Sequence, residues 1–333
     1  MPEKQRRFVN YPISMLAETI ADPKRGLTAI ACFAFAEYAK HCERDFESAF
    51  AQMAYLARSQ NAVLPKAVRA FLARRDVAEL AEEIDEEAWG AGDYPAGAAD
   101  MVRDYPPETT DRERQAVVSF VALRDAAHFF GRKITDYDAV MQSAARSRQA
   151  VSEHETRHGK DATASVPADY FFEVLDNKPT LDDMRVFRCV AAVRSLVGAK
   201  TVCGSTKAMI AARMVGAKSP VVAADMAARS PAIAAELAAL SSRKRFDRIF
   251  TTAATRGFFG KVGMGRRVYV STEDKDPVAL AGRVRTRFDR LTEYRERERA
   301  ARAAEKRVGN VTETLPLEGQ HRGQRGGHHR VQL

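Results

Sequence analysis

Two histidines four residues apart, with a glutamate directly after the first, stand at His154-Glu155-Thr156-Arg157-His158. On a helix that spacing puts both imidazoles on one face, where they can hold Zn²⁺ while the glutamate activates a metal-bound water. The surroundings argue against it. A working zinc helix sits in apolar sequence that holds its ligands rigid and partly dry, and here the neighbours are Arg146, Arg148, Ser152, Glu153, Gly159, Lys160 and Asp161. The one tempting acid nearby for a third ligand, Glu173, lies beyond Gly159 and Pro167 at a spacing short for the usual downstream glutamate. The match is read as chance, and the expectation is a non-enzymatic chain with no metal and no cofactor. Phosphate-binding glycine loops, nucleophile elbows and paired acid/base carboxylates are absent from the sequence.

A second chemistry, recognition of phosphates and base edges, is carried by SSRKRFDRIFTTAATRG (241–257). At 100° per residue, Ile249, Phe250 and Ala253 fall within about 60° of Phe246 and form a core face. Lys244, Arg248, Thr251 and Thr255 fall within about 40° of the opposite direction, with Arg245 and Thr252 flanking them and Arg243 at the start. Such side chains hydrogen-bond phosphates and base edges; the competing reading is a merely solvated face. Next come two short strands, GFFGKV and RRVYVST, joined by Gly263-Met264-Gly265, where glycines supply the positive φ of a tight turn. Lys261, Arg266 and Arg267 crowd that tip. The candidate DNA-binding residues are therefore Arg243, Lys244, Arg245, Arg248, Thr251, Thr252, Thr255, Lys261, Arg266 and Arg267.

Helices are expected upstream to carry them. Thr180 caps TLDDMRVFRCVAAVRSLVG, with Asp182 and Asp183 favourable at the positive end of the helix dipole. Leu181, Met184, Phe187, Val190, Val193 and Val197 form its buried stripe, and Gly198 stops it. KTVCG is short and extended. Ser205 caps STKAMIAARMVG, whose Met209, Ile210 and Met214 face inward before Gly216. The Ala-rich SPVVAADMAARSPAIAAELAAL adds helix broken near Ser230-Pro231.

Taken together, residues 180–272 resemble the winged-helix DNA-binding domain of plasmid and phage replication initiators. VRSLVGAKTVCGSTKAMIAARMVG, and the pairing of SSRKRFDRIF with RGFFGKVGMGRRVYVS, are also similar to uncharacterised bacterial mobile-element proteins. The resemblance implies a third helix in the major groove and a hairpin on an adjacent groove or the backbone. The chain departs from a compact winged helix in the Ala-rich stretch between Gly216 and Ser241.

The rest of the chain reads as mainly α with this one small β-hairpin. A helical N-terminal domain (1–90) includes ISMLAETI and LTAIACFAFAEYA, the latter started by Asp22-Pro23, and an acidic helix, DVAELAEEIDEEAW (76–89). That helix has a stripe of Val77, Leu80, Ala81, Ile84 and Ala88; its acids form a solvated face, a dock for a basic partner or a cover for the basic region. Residues 91–111 have the composition of a linker. A helix over 112–142, capped by Thr110/Asp111, packs between domains, and 143–168 form a polar connection. The winged-helix-like domain spans 169–275, a long charged helix 276–308, and a disordered tail 309–333.

Bulk properties agree. The 333 residues carry a net charge of +9, and between Ser241 and Asn310 stand 19 cations against nine anions. A confined basic excess is the footprint of a nucleic-acid or anionic-surface binder. No apolar run approaches the roughly 20 residues needed to span a bilayer, no signal peptide is read, and the scattered Cys32, Cys42, Cys189 and Cys203 suit free thiols in the cytoplasm. The expectation is duplex DNA binding by a mobile-element replication initiator or transcriptional regulator. The alternative is an interaction or structural protein whose basic region meets an acidic protein or RNA; a homo-oligomer is left open.

Overall fold

The computed structural model describes residues 7–57, 63–91, 96–264 and 267–312. As expected, the chain is mainly helical with small antiparallel sheets. It divides into a body, residues 1–280, and a second unit, residues 281–333.

The body opens with a strand where helix-like periodicity is expected: β1 (Phe8–Pro12), followed by a 3-10 turn (Ile13–Ala17). Val9 and Tyr11 point into the core, two residues apart as a strand requires. Helices α1 (Glu18–Ala21), α2 (Pro23–Ala39), α3 (Phe46–Ala57), α4 (Lys66–Leu72), α5 (Arg75–Ala91), α6 (Ala96–Asp104), α7 (Asp111–Phe129) and α8 (Tyr137–His158) follow. Asp22 caps α2 by accepting from the Arg25 N–H at 3.0 Å, with Pro23 in the first turn, as the sequence indicates. Thr110 and Glu113 form a reciprocal capping box on α7.

Two stretches read as connections are structured instead. Within the expected linker lies α6, whose Ala98, Ala99 and Val102 are buried; it packs on α3 and α5. The expected polar connection (143–168) is the rest of α8 followed by β2 (Thr163–Pro167), which pairs antiparallel with β1, Val9 opposite Val166 and Tyr11 opposite Ala164. Small residues mask the alternation in TASVP, and β1, more than 150 positions earlier, supplies the missing hydrogen bonds. On α5 the Val77 side chain is buried, Asp76 pairs with Arg74 at 2.6 Å and Glu79 with Arg75 at 2.7 Å. Ile84, Ala88 and the acids between them lie outside the side chains described.

After α9 (Ala168–Asp176) comes α10 (Leu181–Val197), the spine of the body. Met184, Phe187 and Ala191 belong to a core shared with β1, β2 and α2–α9. Val186, Cys189, Val190, Val193 and Val197 belong to a second core formed with the elements that follow. A helix apolar all round is a buried helix; Leu181, expected in its stripe, is instead exposed in the first turn. The Thr180 cap and the Gly198 stop, at φ 53°, hold as expected.

The second core is closed by β3 (Cys203–Ser205), α11 (Lys207–Met214), α12 (Pro220–Arg229), α13 (Pro231–Ser241), α14 (Arg243–Thr255), β4 (Gly260–Met264) and β5 (Arg267–Ser271). Thr206, not Ser205, caps α11, because Ser205 is held in the β3 ladder opposite Val268. Ile210 and Met214 are buried and Met209 is half-buried. Ser230 ends α12 and caps α13, the expected break. The sheet order is β3-β5-β4, both pairings antiparallel. Gly260 has no room for a side chain, since a Cβ there would lie 1.9 Å from the Asp274 carbonyl oxygen. Gly260→Ala is therefore expected to push the 272–276 loop off β4 at a cost of roughly 1–3 kcal/mol, read as a lower urea midpoint with an unchanged slope.

The last helix, α15, runs Pro277–Thr312, with Asp276 accepting from the Ala279 N–H at 3.1 Å. It continues four residues past the expected end at 308, and the tail from 313 lies outside the described residues. Arg302 and Glu298, four apart, pair at 2.6 Å. No described helix is long and apolar enough to cross a membrane.

Candidate nucleic-acid interface

α14 divides as its sequence predicts. Phe246, Ile249, Phe250 and Ala253 are buried, with the Phe246 and Phe250 rings stacked at 5.7 Å and Phe250 packed on Phe259 at 5.2 Å. Arg243, Lys244, Arg245, Arg248, Thr251 and Thr255 are exposed, while Thr252 is half-buried. Arg243 is 89% exposed and only loosely paired with Asp247 at 3.6 Å. Lys244 and Arg245 form no ion pair among the described residues. The first turn holds no acid, and Ser242 caps it without a side-chain hydrogen bond. Three cations thus sit against the positive end of a helix dipole, an arrangement that a bound anion relieves.

The hairpin is held beside this face. Lys261 pairs in register with Val270, so both side chains lie on the side of the sheet that meets the core. The Lys261 Nζ lies over the Phe250 ring, 5.2 Å from its centroid, and donates to Thr251 Oγ1 at 2.6 Å. Burial pulls the ammonium below the usual lysine range, opposed by the Asp247 charge. Lys261 is thus no free arm at the turn, as expected from sequence, but a tie between β4 and α14. Gly263 likewise lies inside the ladder, opposite Val268. Arg267 is exposed at the distal end of β5, paired with Met264; Arg266 lies outside the described residues.

Sequence reasoning missed the acids that meet this surface. Arg248 Nη2 contacts Asp182 Oδ2 at 2.8 Å, and Arg256 Nη2 lies 3.5 Å from Asp183 Oδ1. Both carboxylates sit on the first turn of α10, which packs on α14. The Thr180 hydroxyl hydrogen bond, with help from Arg256, holds Asp183 below the ordinary carboxylate range. Lys207 pairs with Asp247 on the same side. One edge of the basic face is therefore neutralised while the Arg243–Arg245 end is not. The sequence shows these acids only as dipole partners of their own helix.

The histidine motif lies on the last turn of α8, closed by Gly159 at φ 71°. The two rings are 4.7 Å apart, but Glu155 accepts from the Asp161 N–H at 2.9 Å and His158 Nε2 faces Asp225 at 3.5 Å. Burial, reinforced by His158 and Lys218, lowers the His154 imidazole against the opposing Asp161 charge. Among the described residues no three His, Cys, Asp or Glu side chains are placed to hold a metal ion. The four cysteines are free thiols, Cys32 and Cys189 buried, Cys42 and Cys203 half-buried.

Comparison of the chain with protein-family models, curated protein sequences and solved structures finds no match.

Proposed function

We propose that residues 180–271 form a winged-helix-type unit that binds duplex DNA, with α14 as the reading helix and the β4–β5 hairpin as the wing. The observation that carries this reading is the Lys261–Thr251 bond, which holds the hairpin against the exposed basic face of α14. The order α10, β3, α11, α14, β4, β5, with strands arranged β3-β5-β4, supports it. The helices α12 and α13 are an insertion between the second and third helices of that plan. Arg243, Lys244, Arg245 and Arg267 take phosphates, while Arg248, Thr251 and Thr255 lie where base edges would come. A mobile-element replication initiator or a transcriptional regulator is the role that suits such a unit, in the cytoplasm and without a cofactor.

Fluorescence anisotropy with labelled duplexes of unrelated sequence tests the reading. Binding is expected in low salt and should fall linearly on a log–log plot against salt, by about 0.9 per phosphate contact. Unlabelled duplex should displace the probe. Failure to bind any duplex at 50 mM salt (about the low end of the usual range), or displacement by RNA or polyglutamate but not by duplex, would replace it with an acidic-protein or RNA partner.

A further inference from the structure

A groove along the first core is used by none of this. It lies between α2 and α8, which run parallel: the two N-caps, Asp22 and Asp136, both line it, and Glu37, further along α2, takes the Nε–H of Arg148, further along α8, at 2.9 Å. Their N-termini are therefore neighbours, and two positive dipole ends meet at one end of the groove. Asp22 and Asp136 already cap those helices, accepting from Arg25 and Ala139 backbone N–H groups at 3.0 and 2.9 Å.

The cavity has a volume of about 720 Å³, within the 300–1,000 Å³ of small-ligand sites. Five cations line it, Lys24, Arg25, Arg132, Lys133 and Arg146, against three acids, Glu18, Asp22 and Asp136. Asp176 holds Arg132 through two 2.6 Å bonds, with the guanidinium 4.8 Å over the Phe172 ring. The other four cations form no ion pair among the described residues. Ser147 also lines the cavity; it is 4% exposed, and its hydroxyl makes no hydrogen bond to the described residues. Phe35 and Phe172, stacked at 6.0 Å, make an apolar wall.

We propose that this groove binds a small phosphate ester of nucleotide size. Its phosphates lie among Lys24, Arg25, Lys133 and Arg146, its flat body lies toward Phe35 and Phe172, and the Ser147 hydroxyl hydrogen-bonds it. Unpaired cations in a concave, half-apolar site favour an anion with an apolar part over a bare ion. The phosphates of a duplex lie on a convex surface and fit a concave groove of this size poorly.

Calorimetric titration of the full chain with ADP, pyrophosphate and adenosine tests it. ADP is expected to saturate one site, pyrophosphate to bind more weakly, and adenosine not to bind in the same range. Arg25→Glu with Arg146→Glu should weaken ADP roughly tenfold or more while circular dichroism and thermal unfolding stay as in the parent, since both side chains are exposed. Ser147→Ala, nearly the same size, should weaken it several-fold. Absence of ADP saturation through the millimolar range, unchanged affinity in the charge-reversed variant, or full displacement by duplex DNA would overturn the proposal. Pyrophosphate binding as tightly as ADP would overturn its apolar half.

Discussion

Glu236→Gln is expected to destabilise the body by roughly 3–5 kcal/mol, the cost of breaking a buried ion pair by removing one partner. The Glu236 side chain is 6% exposed and sits between two arginines of α10. Arg185 donates through Nε and Nη2 at 2.9 and 2.8 Å, and Arg188 Nη2 donates at 2.8 Å. Arg188, 1% exposed, also donates to the Thr19 carbonyl at 3.3 Å, so the network ties α13 to α10 and reaches α1. Glutamine keeps the volume but removes the charge, leaving the buried Arg188 guanidinium without a counter-ion and Arg185 with only the more distant Asp182, 3.5 Å away. Against a typical total of 5–15 kcal/mol, urea unfolding should show a much lower midpoint. Replacing all three side chains by apolar residues of similar size should recover most of the loss, because the desolvation cost of all three charges disappears with them. Full stability of the single variant would mean that the carboxylate does not compensate these arginines.

The same group gives stability a pH dependence of definite sign. Burial alone would raise the Glu236 carboxyl, but the hydrogen bonds and charges of Arg185 and Arg188 outweigh it and hold the group below the ordinary carboxylate range. A carboxyl depressed on folding contributes stability above its unfolded pKa of about 4.3, and that contribution is lost as pH falls through the lower folded value. The glutamine variant should lack this part of the acid transition.

Lys244→Glu with Arg245→Glu should reduce duplex affinity roughly 50- to 100-fold at 0.1 M salt. Each lost phosphate contact is worth about 0.9 in the salt slope, hence roughly eightfold at that concentration. The slope should fall by about two, and the loss should be alike for all sequences, because phosphate contacts carry no sequence information. Asp182→Asn with Asp183→Asn should act in the opposite direction, tightening binding by releasing Arg248 and Arg256 from their acidic neighbours. Binding unchanged by both pairs would place any DNA contact away from α14. The acids make the second pair informative: a merely solvated basic helix has no reason to respond to residues on α10.

How much of this was legible beforehand differs element by element. The Thr110, Thr180 and Asp22 caps, the break at Ser230-Pro231 and the two faces of α14 follow from residues within one or two turns of each other. Local hydrogen bonding and helical periodicity decide such features, so the chain displays them directly. β1 and β2 were not legible, since neither is a strand until the other satisfies its backbone. α6 hid in a composition rich in Gly, Pro and Asp because three small apolar residues suffice to seat it on α3 and α5.

The candidate interface shows the same division. That α14 is apolar on one side and basic on the other was set by the order of its residues alone. That Lys261 is spent on Thr251, that Asp182 answers Arg248, and that Glu236 lies between Arg185 and Arg188 was decided only by the packing of helices and strands 10 to 66 positions apart. A charge acts through space and is screened within about 10 Å, so its partner is whichever group the fold brings inside that radius.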